Sequence, residues 1–584
     1  MTGEVLAIAM ASVVVVMLLG GSIWRVFWPR PSRGVQSLLF SFAVGLSLLV
    51  LRWPSISWPC EINEDESQML AQGMRFLAHP VPWRDVDGTT SGPLNSLALS
   101  LPLSLGAPAS WQTARIVMVA LECLTLLFLY LTFRLFGTRS EAQFSLMPTF
   151  LFYAFALRRD FTHYSSEALS ILLLSAAIFL LSREWKAVRP SKTRWFLLGL
   201  LLGSVPFAKL QASPLALFFA IIGFALLCVR HRRAEAPRAV GWRETLAFCL
   251  GGLTLPALIL GVVIAHGVFA DFWKSYILAS GAYVSQESWL LKAAHLRLML
   301  FMKSDFRSYL FSAMGAMILL LAAWRSRTVK LTGEILWPLL VIMAGGVVTL
   351  LCLFAAGKAF NHYMLLLVPT FGALFGLVYF AGKVWLAGED GPAQKPSSAF
   401  IGWLAAFSLL AIGFQSYKSA LYVRDVRFYT EEIPPMSLVG QSVRTIERPD
   451  DTMAIWGWAP VYFVETGIMP ANRDAIGHYV ISAGRYQRYF RKRYLDDLMK
   501  SKPSFFVDAV SNDNFLWTWT TADTHESFPA LAQFIHDNYT LWRSISANGR
   551  QTPVRVYVLN QRLAGLHLAS TDLPAARDPA YATP

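Results

Sequence analysis

Along most of this chain apolar and polar residues do not alternate. The apolar ones gather into runs of about 15 to 23 that recur from the N-terminus to about residue 414. A run of that length, wound as a helix, covers roughly 30 Å of hydrocarbon while satisfying its own backbone groups. About twelve such runs lie near residues 5–24, 36–52, 113–135, 143–157, 167–182, 195–208, 213–229, 245–267, 308–324, 335–356, 362–381 and 399–414. RVFWPRPSR follows the first run where a signal peptide would show a small-residue cleavage site, so this run reads as a retained span. From about residue 416 the pattern turns soluble. TMAIWGW and PSFFVDAV read as strands, YLDDLMKS and FPALAQFIHDNY as helices, and VRVYVLNQ as a last strand. The expected fold is an all-α polytopic membrane domain over residues 1–414, with about 12 transmembrane helices and a large first outer loop over 53–112. A small C-terminal α/β domain over 415–570 and a disordered tail over 571–584 complete it.

Composition agrees with the pattern. The chain is 55% hydrophobic and 15% charged, with a mean hydropathy of +0.45, outside the range of soluble globular proteins. Its net charge of +14 would suggest nucleic acid were it not so placed. The positives fall in alternate short loops, among them REWKAVRPSKTR and RHRRAEAPRAVGWR, and the positive-inside rule makes that face cytoplasmic. No nucleic-acid partner is expected. Loop 53–112 and the region after residue 414 then lie on the opposite, extracytoplasmic face. Within that loop LALSLPLSLG is too short and Pro-broken to cross, and suits the membrane interface. The five cysteines are scattered and suggest neither a disulfide framework nor a metal knuckle.

Candidate chemistry gathers on the outer face. EINEDESQ, residues 61–68, holds four carboxylates. On a helix starting near Asn63, Asp65 and Gln68 share a face while Glu66 points about 100° away, so only one or two acids can aim at one reacting atom. The same acids would also suit a helix N-terminus without any reaction. Glu167 stands at the outer start of a span in RRDFTHYSSEALSILLL, after a turn carrying Arg158 and Arg159. Lys209 follows an apolar run of about 14 residues, which reaches only ~21 Å and leaves the ammonium below the outer surface. An intramembrane lysine needs an anionic partner, either a structural acid or a ligand phosphate. Lys358 in AAGKAFNHYML poses the same choice more weakly, and His362 at a span terminus suits an interfacial hydrogen bond as well as a ligand. Asp85 and Asp87 flank a Gly-containing turn that they either order or open to substrate. Trp456 and Trp458 could stack on a sugar or fill the core of the small domain.

In order and topology, Asp65-Glu66, Glu167, Lys209-Leu210-Gln211 and His362-Tyr363 leading into MLLLVPTFGAL resemble the GT-C glycosyltransferases, nearest the protein O-mannosyltransferase and aminoarabinose transferase group. The likeness covers most of residues 36–415, and the C-terminal region resembles the small extracytoplasmic domain of bacterial relatives. The resemblance implies a multi-pass enzyme of the bacterial inner membrane that transfers a sugar, with inversion, from a polyprenyl-phosphate donor to a lipid, glycan or protein acceptor at the outer face. It implies Asp65 as base, Glu66 in support, and Glu167 shaping the site. Lys209 and Lys358, with Arg158 or Arg159 as substitutes, would face the donor phosphate, and Gln211, His362, Tyr363 and Asp87 the substrates. No cofactor is required; the acids leave room for a divalent cation, with no ligand assigned. Three departures from the family pattern stand out: an extra first span, Glu where Asp is frequent at the second acid, and Ser67-Gln68 where Arg and Tyr are common. A transporter or flippase of a lipid-linked or acidic solute, or an assembly scaffold, would also explain buried charge.

Overall fold

The structure is a computed structural model that describes residues 34–157, 159–232, 241–285, 287–302, 304–325, 331–386, 398–413, 422, 425–429, 435–511, 522–545 and 553–563. The first expected span, Arg158 and the expected tail lie outside the described residues. Each of the other eleven runs coincides with a helix. Among the described residues eight helices are long and apolar enough to cross a membrane, and the chain is a multi-pass membrane protein. Of the remaining three, Arg139–Phe155 and Lys192–Ala208 have 17 residues each, and Ser398–Ile412 is a shorter apolar helix.

The chain divides into two compact units. The first comprises Met1–Trp58, Arg115–Leu260 and Val284–Glu431. Its most enclosed span is Asn361–Leu386, 94% buried within the protein, and its most peripheral is Trp242–Ala265, at 17%. The peripheral helix is held by close approach of backbone to backbone: a Cβ on Gly203 would sit 2.1 Å from the Gly252 carbonyl oxygen, and one on Gly199 would sit 2.1 Å from that of Phe248. Small residues four apart are what allow membrane helices to meet this closely. Helix Arg139–Phe155 starts at a capping box in which Thr138 and Glu141 satisfy each other's backbone N–H groups. Helix Lys192–Ala208 ends at Lys209, whose extended backbone leads into the 3-10 turn Leu210–Ala212 and then helix Ser213–Arg232.

The second unit comprises Pro59–Ala114, Gly261–Tyr283 and Glu432–Pro584. Its sheet contains β1 (Thr452–Trp456), β2 (Met469–Pro470), β3 (Phe505–Asp508), β4 (Tyr539–Ile545) and β5 (Val554–Leu559), in the order β2-β1-β3-β5-β4. The first three are parallel, and β5 runs antiparallel to both β3 and β4. Three strands stand where the apolar pattern puts them. Strand β4 does not announce itself, because its burial follows no strict alternation and a bulge separates Leu541 from Arg543.

The first outer loop packs into this unit with the C-terminal region. Asp87 bridges to Asp474 in strand fashion, and Arg493 joins their carboxylates, at 2.7 Å to Asp87 and 2.5 Å to Asp474. Ser275 donates to Asp87 at 2.5 Å, while Arg473 reaches Asp497 at 2.7 Å and the Trp83 carbonyl at 2.8 Å. Trp83 adopts a left-handed backbone (φ 62°) that a bulky residue tolerates only when its surroundings hold it. Here the ring is buried against Phe272 and Tyr276. LALSLPLSLG belongs to helix Pro93–Ser104, which turns Asn95, Ser96 and Ser100 inward and leaves Leu97 and Leu101 exposed, followed by exposed Leu105.

Candidate functional site

The first unit concentrates buried charge at one end of its helices. Ser165, Ser166 and Glu167 immediately precede helix Ala168–Lys186, and Lys209 caps the end of helix Lys192–Ala208. Packing of these two helices brings the ends together. Lys209 Nζ lies 2.9 Å from Glu167 Oε1 and donates to Ser166 Oγ at 2.6 Å. Ser165 Oγ donates to the other carboxylate oxygen of Glu167. Glu167 is fully buried and Lys209 is 3% exposed. In so dry a place an ammonium stays charged only beside an anion. The Tyr363 ring centroid lies 5.3 Å from Nζ, a cation–π contact.

Beside this pair the 3-10 segment Asn361–Leu367 carries His362, which packs edge-on to His163 at 5.7 Å and stacks on Phe360. Both histidines are buried. His163 Nδ1 is 2.7 Å from the Arg159 carbonyl oxygen, and Asn361 donates to Asp160 at 2.6 Å. Gln211, two residues past Lys209, is half-buried, and its Nε2 makes no hydrogen bond among the described residues. Glu167, Lys209, His362 and Tyr363 are thus gathered as one cluster. Lys358 instead pairs with Glu287 at 2.7 Å, and exposed Arg159 lies over the Phe428 ring. The serines were not singled out in the sequence, although their place directly before an acid at a helix start carries the signal.

In the second unit EINEDESQ opens helix Glu64–Ala78, as the pattern predicts. The Asn63 side chain caps it by accepting from the Asp65 backbone N–H at 2.9 Å. The two neighbouring acids part company there. Glu66 is fully buried and accepts from the N–H of Ile62, the residue before the N-cap, at 2.6 Å, which ties the entering chain to the first turn. Asp65 is half-buried in the first turn. Burial pushes the Glu61 carboxyl up to about 8, and the neighbouring Glu64, Glu66 and Glu465 charges add to the rise against a hydrogen bond from Ser67. Asp87 is fully buried, held by Arg493 and Ser275, and also accepts from the Thr89 N–H.

One further group in this unit, Asp508, His525 and Glu526, brings its ligand atoms within 4.8 Å of one another. Arg555 already bridges it, 2.8 Å from Asp508 and in double contact with Glu526. A guanidinium supplies there the positive charge that a metal would bring. Trp456 is fully buried and donates to the Asp523 carbonyl, a core role.

No protein-family model matches the chain, and no curated protein does. Among solved structures, ArnT from Cupriavidus metallidurans bound to undecaprenyl phosphate superposes with a TM-score of 0.53 at 12% identity, covering 93% of this chain and 100% of that one. The same protein in the apo state gives 0.51 at 13%, covering 90% and 98%. The archaeal oligosaccharyltransferase AglB from Archaeoglobus fulgidus gives 0.41, too loose to support an argument. At such identities the likeness concerns architecture alone, and that architecture, with the apolar helices and the small terminal sheet, is the GT-C fold.

Proposed function

We propose that the chain is an integral-membrane glycosyltransferase that takes a sugar from a polyprenyl-phosphate donor and passes it, with inversion, to an acceptor at the outer face of the bacterial inner membrane. The observation that supports this reading best is Lys209, buried and paired with Glu167 at 2.9 Å. Among the described residues it meets Ser166, Glu167 and the Tyr363 ring face, contacts that a ligand oxygen can join or replace because an ammonium's donors rotate. The ligand class follows the undecaprenyl phosphate bound to ArnT.

In the proposed step the acceptor's oxygen or nitrogen attacks the anomeric carbon as the bond from that carbon to the phosphate oxygen breaks. The phosphate departs with the electron pair and Asp65 takes the acceptor's proton. Because a polyprenyl phosphate leaves as a stable anion, no second carboxylic acid has to protonate it. Lys209 stabilises the charge that grows on the phosphate, Glu167 holds Lys209 in place, and Gln211, His362 and Tyr363 contact the donor. Glu66 holds the helix that presents Asp65. No metal is assigned a step.

The test is reconstituted protein with labelled polyprenyl-phosphate sugars, scored for transfer and for translocation. Asp65→Asn should abolish transfer at unchanged membrane yield. Full transfer in that variant removes the proposed base, and translocation without transfer replaces the enzyme with a flippase.

A further inference from the structure

At the opposite end of the helices from Glu167 and Lys209, the first unit holds a second feature that the proposed reaction does not use. A cavity of about 1010 Å³ opens between the last turns of helix Ala168–Lys186, the last turns of Ser213–Arg232 and the first turns of Gly333–Ala356. Its walls are apolar, with Leu181, Phe219, Leu226 and Val341 among them. The charged groups on the lining are Lys186, Arg230 and Glu334. Trp337 also lines it and is 56% exposed, as expected of a tryptophan at headgroup depth.

We infer that this cavity seats an anionic diacyl phospholipid, its chains between the three helices and its phosphate against Lys186 and Arg230. Charge complementarity selects the occupant. Arg230, 8% exposed, is fixed by donating to the carbonyls of Glu184, Trp185 and Ala187, which holds its guanidinium on the cavity wall. Lys186 lies over the Phe136 ring and pairs with Glu334 at 2.8 Å, but the lysine is half-buried and the acid exposed, 28% and 63%, so the ion pair is screened and can be exchanged at little cost. Glu184, the other nearby acid, is occupied by Arg194, while exposed Arg183, Arg189 and Lys192 add further positive charge to the same end of the bundle. A basic rim over an apolar gap between transmembrane helices is the arrangement that holds acidic headgroups.

The experiment is native mass spectrometry of the purified full chain with phosphatidylglycerol, with phosphatidylcholine of the same acyl chains, and with undecaprenyl phosphate. Phosphatidylglycerol should be retained over phosphatidylcholine. Lys186→Gln should lower its retention about fivefold, the effect of one cation at a membrane surface. Glu334→Gln frees Lys186 and should raise retention by a similar factor, a gain that misfolding cannot imitate. Ala225→Trp, which fills the cavity from its exposed side, should displace both phospholipids. Equal retention of the two phospholipids overturns the inference, as does indifference to both charge variants or displacement of phosphatidylglycerol by undecaprenyl phosphate.

Discussion

Two buried cations, one in each unit, solve the same problem in different ways. Arg493 is 5% exposed and divides its guanidinium between Asp87 and Asp474, with the Phe490 ring 4.7 Å away. Its planar fork joins two carboxylates from distant parts of the chain and holds them in place. Lys209 is as deeply buried, but meets one carboxylate, one hydroxyl and a ring face. An ammonium is a compact charge whose contacts rotate, and a ligand oxygen can enter its shell without dismantling the fold. The difference is the one expected between a fastening and, under the proposed function, a binding group, although burial alone makes them look alike.

The largest effect that would test this contrast is on stability. Arg493→Ala leaves Asp87 and Asp474 buried without their counter-charge, and breaking a buried pair in this way costs about 3–5 kcal/mol. Thermal unfolding of the full chain in detergent should show the loss. Adding Asp87→Asn to the variant should restore part of it, since the remaining cost is the stranded acid. Unchanged stability in Arg493→Ala would deny the arginine its fastening role.

Removing the charge at the other cluster should leave stability and activity on different scales. Lys209→Met combined with Glu167→Gln removes both charges together, so no ion is stranded, and stability should change by less than about 1.5 kcal/mol. Transfer should fall by about 10²–10³-fold, the usual consequence of deleting one group that stabilises developing negative charge. If the double variant loses stability as Arg493→Ala does and keeps its turnover per folded molecule, the Lys209 pair is a fastening too.

How much of this was legible in the sequence depended on the distance over which each feature is decided. Helices that cross hydrocarbon must be long and apolar, so their positions are written locally. Strands β1, β3 and β5 are buried and read as apolar runs, whereas β4 is half-exposed and bulged, and its sequence looks like a loop. The need of Lys209 for an anionic partner follows from the short run before it. That the partner is Glu167 follows only from the packing of two helices whose ends are 42 positions apart in the chain. The role of Asp87 was less visible still, because its counter-ion lies 406 residues away. The division of labour between Asp65 and Glu66 was half legible. Helical geometry separates their faces, but that the Ile62 N–H occupies Glu66 follows only from the burial of Ile62 in the folded chain, which takes its donor away from water.

Glu61 extends the comparison to a buried acid whose neighbours are chiefly other acids, and the expected effect is the smallest of the three. Arg493 and Lys209 each meet a carboxylate, whereas the Glu61 carboxyl, raised from 4.5 to about 8 by burial, answers by holding its proton. Between those two values the folded chain binds a proton that the unfolded chain has released. Stability from this group is therefore fully present below about pH 4.5, declines as pH rises toward about 8, and is flat beyond. Glu61→Gln keeps the neutral shape at every pH, so the difference in unfolding free energy between variant and parent should grow across that window in favour of the variant. The gain should be on the order of 2 kcal/mol at its upper end, given 1.36 kcal/mol for each tenfold change in proton affinity and the partial exposure of the site. A difference that stays constant from pH 5 to 8 would mean that Glu61 is ionised throughout, and that a third cluster finds its counter-charge as the other two do.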